Sequence, residues 1–262
     1  MPPCLRRLLS LCTLWAALAA PASAQQLILA FDELPPWLTT DGGKYGGAYV
    51  EIARELARRV GLPLHVVKCP LKRCLQMLAE GSADLAIGFK DSEARRTYMH
   101  FLATPYRSRS SDRVFYIAKG KNIAIGNYED LAGLRIGVKL GAAYFDRFDR
   151  DGALNKAAVP DSAVNFRKLL LGRLDTVLAP EDQGEAMINK LGIRASVEKA
   201  AFRPPDPTPR TMGISKKSVH AARLKHFDQA MSAMANDGTL ARIYRQHYHD
   251  AYNIPADAVQ IR

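Results

Sequence analysis

Residues 75–88, LQMLAEGSADLAIG, and residues 166–179, FRKLLLGRLDTVLA, pass through the same events in the same order. Each has apolar residues at helical spacing, then a glycine, a short polar link with an aspartate, and an apolar run. A 3.6-residue period that gives way to a short continuous apolar run is the pattern of a surface helix feeding a strand buried on both faces. Upstream of the first copy the scheme repeats. LILAF (27–31) reads as a strand, and YVEIARELARRVG (49–61) as an amphipathic helix ended at Gly61. LHVVKC (64–69) is the next strand, PLKRCLQMLAEG (70–81) a helix ended at Gly81, and DLAIGF (84–89) a third strand. Around the second copy, LRIGVKLG (134–141) is a strand, VNFRKLLLGR (164–173) a helix and DTVLA (175–179) a strand. Strand and helix alternating in this way predict a mainly parallel sheet with crossover helices, built once in each half of the chain.

Two segments join the halves. VFYIA (114–118) reads as an extended crossing segment. On the return, PPDPTP (204–209) carries four prolines in six residues, which rules out regular structure before the short strand TMGIS (211–215). The last stretch, VHAARLKHFDQAMSAMANDGTLARIYRQHY (219–248), predicts two helices broken at Asp237-Gly238. The fold expected is therefore two α/β lobes joined by two crossing segments, with a ligand cleft between them. Lobe 1 comprises 25–114 and 213–262, and lobe 2 comprises 115–212.

The first 24 residues are excluded from the fold. Arg6 and Arg7 precede an apolar core, LLSLCTLWAALAA, and Ala22-Ser23-Ala24 is an A-x-A cleavage signal, together a secretory leader. The mature chain is expected to begin at Gln25 and to be periplasmic. The net charge of +11 is spread among acids without a block of like charge, and export further excludes a nucleic-acid partner. Of four cysteines, the leader takes two and leaves Cys69 and Cys74. An even pair in an oxidising compartment suggests a disulfide. Five steps of ideal helix would hold the pair too far apart, but Pro70 at the start of the helix leaves Cys69 just ahead of it, free to fold back. The alternative is two buried thiols. His247 and His249 lack further ligand-spaced partners, so no metal is expected, and no cofactor motif is present.

Seven stretches extend the pattern: FDELPPW, GGAYVEIARELARRVG, LAEGSADLAIG, SEARRTYMHFLATPY, LAGLRIGVKLG, LLLGRLDTVLA and ANDGTLARIYRQHY. In this order and spacing the chain resembles the bacterial family 3 extracellular solute-binding proteins, the polar amino acid receptors of ABC transporters. The resemblance covers nearly the whole mature chain. It implies a periplasmic-binding-protein-like fold and a monomer that binds a small carboxylate-bearing ligand, first a polar amino acid. The loaded form would then dock on a membrane permease or a sensor.

The resemblance also assigns residues. An arginine six before Phe101 binds the ligand carboxylate, which gives Arg95 and leaves Arg96 on the surface. A guanidinium offers a planar fork to a carboxylate and stays charged when buried. Trp37 corresponds to the aromatic that covers the ligand. Asp32 and Glu33 stand at the carboxyl end of the first strand, where open α/β sheets bind ligands, and Gly88 stands at the end of the third. Lys90 occupies a place usually held by a small hydroxyl residue. It implies either extra negative charge on the ligand or an outward-pointing side chain. The second lobe has Gly141-Ala142 where the family has Gly-Thr, leaving backbone N–H groups at the following helix start to bind an anion. Pro180 stands where the family has an acid for the ligand ammonium, and Glu181 or Asp182 would substitute. Motifs for hydrolases, zinc proteases and nucleotide binding are missing, so binding without chemistry is expected. The alternatives are a receptor or accessory protein for another small organic acid, and an enzyme resembling cyclohexadienyl dehydratase with Glu181 or Glu33 as its acid.

Overall fold

The structure, a computed structural model, describes residues 25–257, 259 and 261, so the leader read in residues 1–24 lies outside the described residues. The first half builds a sheet from β1 (Leu27–Phe31), β4 (Leu64–Lys68), β5 (Leu85–Ala86) and β6 (Met99–Phe101), and a small hairpin, β2 (Thr39–Asp41) with β3 (Lys44–Gly46), projects from it. The second half contributes β7 (Arg113–Ala118), β8 (Arg135–Lys139), β9 (Asn155–Val159), β10 (Thr176–Pro180) and β11 (Val197–Lys199), before β12 (Gly213–Ser215) returns to the first sheet. The two five-stranded orders are β4-β1-β5-β12-β6 and β11-β7-β10-β8-β9.

Each sheet is parallel except where the chain arrives from the other lobe. β1 runs parallel to β4 and β5, and β8 parallel to β9 and β10. β12 is antiparallel to β5 and β6, and β7 antiparallel to β10 and β11. A chain entering from the cleft side meets the ends where the parallel strands finish, so its first strand must run against them. For this reason VFYIA is not a crossing segment. It lies inside β7, buried along its whole length, and the second sheet begins at Arg113 rather than at 115. The crossings are the loops just before β7 and β12. They hold one another through backbone bonds, Leu102 N–H to Met212 O at 2.9 Å, Arg210 N–H to Arg107 O at 2.9 Å and Ser110 N–H to Thr208 O at 2.8 Å.

The helices follow their apolar stripes. α1 (Ala48–Arg59) buries Val50, Ile52, Ala53, Leu56 and Ala57, with Glu51 in its first turn and Arg58 and Arg59 in its last, the arrangement the helix dipole favours. It starts from Gly47 at φ +95, where a Cβ would stand 2.3 Å from the Trp37 carbonyl oxygen, so only glycine fits there. α2 (Leu71–Glu80) starts after Pro70, and Cys69 and Cys74 are bridged with their Cα atoms 5.4 Å apart. α3 (Glu93–Arg96) and α4 (Asp146–Arg150) are single short turns. α5 (Ser162–Leu170) and α6 (Glu181–Leu191) cover the second sheet. α7 (Leu224–Asn236) and α8 (Thr239–Tyr244) break at Gly238, φ +80, and end in a π-helical turn, Arg245–Asp250, that packs on the first lobe's core.

Candidate functional site

The carboxyl ends of the parallel strands converge on a cleft between the sheets, and the residues that follow them line it: Asp32 and Glu33 after β1, Leu71 after β4, Gly88 after β5, Leu140 to Tyr144 after β8, and Asp182 after β10. The space has two adjoining chambers of about 400 and 520 Å³, which share Asp32, Glu33, Gly88, Arg113, Tyr144 and Arg210 as walls. Leu71 and Leu140, one from each half of the chain, line the cleft as exposed apolar side chains, 42% and 62% accessible. The cleft therefore offers hydrocarbon as well as charge.

The two adjacent arginines of α3 separate. Arg96 is exposed and grips Asp91 with both arms of its fork, Nε and Nη2 donating at 2.8 and 2.7 Å. Arg95 is half-buried on the wall of the larger chamber. Its Nη1 donates to the Lys90 carbonyl oxygen at 2.6 Å and its guanidinium lies 5.7 Å from the Phe89 ring centre. No acidic side chain among the described residues pairs with it. Lys90 is exposed and lines the same chamber, as does Gly88, whose N–H donates to the Tyr106 hydroxyl at 3.1 Å.

Trp37 is placed differently from the sequence expectation. Only 1% exposed, it is stacked between Tyr49 at 5.0 Å and Tyr248 at 4.6 Å, with interplanar angles of 14° and 11°. Both indole faces are covered, so it cannot lie over a ligand, although its edge reaches the smaller chamber. Its Nε1 donates to Asp182 Oδ2 at 3.1 Å, and the same oxygen accepts Arg107 Nη1 at 2.9 Å. Arg107 sits in the outgoing crossing, and Nη2 donates to Ser111 Oγ at 3.1 Å. Burial works against the charge of this guanidinium, but Tyr49 and Asp182 beside it hold its pKa above the ordinary arginine range. Asp182 belongs to the second lobe and Trp37 to the first, so this knot ties the lobes together at the back of the cleft.

The remaining acids are committed. Glu33 accepts Lys68 Nζ at 2.6 Å and the Thr40 N–H at 3.1 Å, and the Lys68 bond holds its carboxyl below the ordinary range. Glu181 does not line the cleft. It turns to Lys199 at 2.8 Å and Arg203 at 3.4 Å, because the first turn of α6 presents Glu181 and Asp182 in different directions. Asp32 is half-buried and accepts the N–H of Glu33 at 2.9 Å. Gly141 and Ala142 line the smaller chamber, but the start of the next helix is no anion site: Asp149 already takes the Tyr144 N–H, at 2.9 and 3.1 Å.

The sequence reading missed Arg107, Arg113 and Arg210. Arg107 directly follows LATPY, and Arg210 follows the proline run, so both lie in the crossings where a side chain meets the cleft from behind. Arg113, buried at the mouth of β7, donates to Asp206 at 2.7 Å and to the Ser111 and Tyr144 carbonyls. A rule that charged residues in segments joining two lobes face the gap would have found Arg107 and Arg210, and Arg113 stands one step past the same segment.

This combination, two mixed α/β sheets each entered by an antiparallel strand with a charged cleft at their facing edges, defines the periplasmic-binding-protein fold. Residues 27–250 match the family described as bacterial extracellular solute-binding proteins, family 3, and the chain belongs to that family. The L-cystine-binding protein TcyJ of Escherichia coli K12 is 24% identical over 201 residues, covering 76% of this chain and 73% of that protein. An ancestral arginine-binding protein bound to arginine superposes with a TM-score of 0.66 at 23% identity, over 85% of this chain and 98% of that one. A histidine kinase sensor domain with similarity to periplasmic binding proteins gives 0.66 at 18% identity, over 86% and 96%. At these identities the structural likeness shows the fold alone.

Proposed function

We propose that this chain captures a small carboxylate-bearing solute, a polar amino acid first among the candidates, and presents it to the permease of an ABC transporter or to a sensor. The observation that carries the reading is Arg95: a half-buried guanidinium on the cleft wall, anchored through Nη1 on Lys90 O, with no acidic partner among the described residues. The cystine- and arginine-binding relatives support an amino acid, and the sensor-domain neighbour supports the second kind of partner. The moving bodies are 25–112 with 213–262, and 113–212. Closure is a shift in population toward the form in which solute touches both. The chain works as an exported periplasmic monomer cleaved after Ala24. It binds without chemistry: of the two glutamates available as a general acid, Glu33 is held ionised by Lys68 and Glu181 is paired with Lys199 and Arg203.

The test begins with mass spectrometry of small molecules released when the purified protein is denatured, followed by calorimetric titration with what is found. Arg95→Ala should lose roughly 30- to several-thousand-fold in affinity, the cost of about 2–5 kcal/mol for truncating one side of a buried charge pair. Arg96→Ala should change binding little, since an exposed pair contributes about 0–1 kcal/mol. Circular dichroism confirms that both variants fold. Equal losses at the two arginines, or normal binding by Arg95→Ala, would remove the carboxylate clamp.

A further inference from the structure

Arg210 faces the cavity with its backbone and Nε held and its terminal nitrogens free. It lies in the returning crossing and lines both chambers. Its backbone N–H donates to Arg107 O at 2.9 Å, and its own carbonyl accepts the N–H groups of Tyr106 and Arg107 at 2.9 and 3.3 Å. Its Nε donates to Ser110 Oγ at 2.7 Å. That serine is 3% exposed and donates in turn to the Thr208 carbonyl at 2.9 Å. The two Nη groups, the fork that recognises carboxylates, meet no acceptor among the described residues. The backbone and Nε are fixed, and the fork is left for something that enters the cleft.

The neighbouring carboxylate cannot fill that role. Asp206 already receives Arg113 Nη2 at 2.7 Å and the Thr208 N–H at 3.1 Å. Burial opposes its ionisation, yet the Thr208 hydrogen bonds and the fields of Arg113 and Arg210 hold its pKa below the ordinary range. Arg113 makes the ion pair with this carboxylate, and Arg210 acts on it through its field alone. The other acids that line the chambers are similarly spoken for: Glu33 by Lys68, Asp146 by Arg150, and Asp182 by Arg107. Asp32 and Asp149 are the carboxylates without a cationic partner among the described residues, and Asp149 caps the Tyr144 N–H. Against these stand Lys90, Arg95, Lys139 and Arg210, none with an acidic partner among the described residues. The lining holds as many acids as cations, but its acids are mostly paired and four of its cations are not, and an anionic solute would offset those four.

We infer that the solute carries two acid groups, one received by Arg95 and the other by Arg210, and so is a small dicarboxylic acid. Lys90, beside Arg95, adds charge to the first site. This rests on the reading of the cleft as a solute site with Arg95 as its carboxylate clamp, and adds a second anion receptor that sets ligand class.

The full exported protein, freed of bound solute by dialysis from denaturant and refolded, is titrated calorimetrically with L-glutamate, succinate and glutarate, and with L-glutamine as the single-acid comparison. At least one diacid should bind at least about 30-fold more tightly than L-glutamine, as expected for a charge-assisted pair made by one ligand and not by the other. Arg210→Ala should weaken the diacid by roughly 10- to 100-fold and L-glutamine by less than about threefold. Arg210→Lys should recover only part, since a point charge does not reproduce the fork. The inference is overturned if L-glutamine binds as well as the diacids, if no diacid binds, or if Arg210→Ala weakens both classes alike. The wild-type panel decides the matter even where the variant does not fold. A single-acid solute bound in an Arg95-dependent way would remove the second anion receptor and leave the clamp standing. Binding that ignores Arg95 would remove the clamp itself.

Discussion

Asp182→Asn isolates the charge at the centre of the inter-lobe knot. The asparagine oxygen can still accept from Trp37 Nε1, so the change removes the negative charge opposite Arg107 while keeping shape. Arg107 and Asp182 side chains are 3% and 4% exposed, which places the pair among those where water cannot take over from a lost partner. Breaking a buried pair by removing one member costs about 3–5 kcal/mol, and the retained acceptor argues for the lower end, about 3 kcal/mol. For chains of about 150–250 residues each kcal/mol moves the melting temperature by about 2–4 °C, so the variant should melt about 6–12 °C lower. The assay is calorimetric melting of wild type, Asp182→Asn and the double variant Arg107→Met/Asp182→Leu. Replacing both charges by apolar side chains often restores stability, so the double variant should recover a large part of the loss. A drop of less than about 2 °C, at most about 1 kcal/mol on this scale, would refute the view that the pair is desolvated and unrelieved.

Two further outcomes follow from packing and charge. Gly184→Ala would place a Cβ 2.4 Å from Tyr116, a fully buried ring in the second lobe's core. The gain of about 1 kcal/mol in helix propensity should be outweighed by overpacking of about 1–3 kcal/mol, read as a lower urea midpoint, and a raised midpoint would show that Tyr116 yields freely. The Glu55 carboxyl is held at about 2, chiefly by its bond to Arg58 and then Arg59, against burial, which raises it; its ordinary value is 4.5. Because the folded value is the lower one, the stability it contributes is present above about pH 4.5 and is lost as pH falls toward 2. Glu55→Gln should therefore show a shallower fall in melting temperature across that window, and an unchanged slope would mean the bonds to Arg58 and Arg59 add nothing.

The strands and helices that carry an apolar period were legible because burial on a sheet leaves its mark in every second or every third to fourth residue. LILAF, LHVVK and TVLA all lie in strands, and the break at Asp237-Gly238 divides the last two helices. NKAAV, EDQGEAMINKLG and VEK, which form β9, α6 and β11, were not legible: their periods are short or diluted by polar residues that pair laterally, as Glu185 does with Arg194 and Lys199. VFYIA misled because a fully buried run looks the same as a strand or as a segment passing between lobes. Within the site, the positions at strand ends were legible, since chain direction alone brings Asp32, Gly88 and Gly141 to the cleft. Commitments were not. Nothing in LPPW tells that Tyr49 and Tyr248 will cover both faces of Trp37, nor in PED that Glu181 will turn away while Asp182 turns in, because those outcomes depend on partners far apart in sequence.

The covered indole has an optical consequence. The sequence has two tryptophans, Trp15 and Trp37, and Trp37 is the one among the described residues. That one fluorophore is sandwiched by Tyr49 and Tyr248 in the first lobe and hydrogen-bonded to Asp182 in the second, with the Arg107 guanidinium 4.9 Å from its ring. Its emission therefore reports on the seam between the lobes rather than on the solute: water reaching the indole as the seam parts shifts the spectrum to the red. The protein carries its own unlabelled gauge of lobe separation.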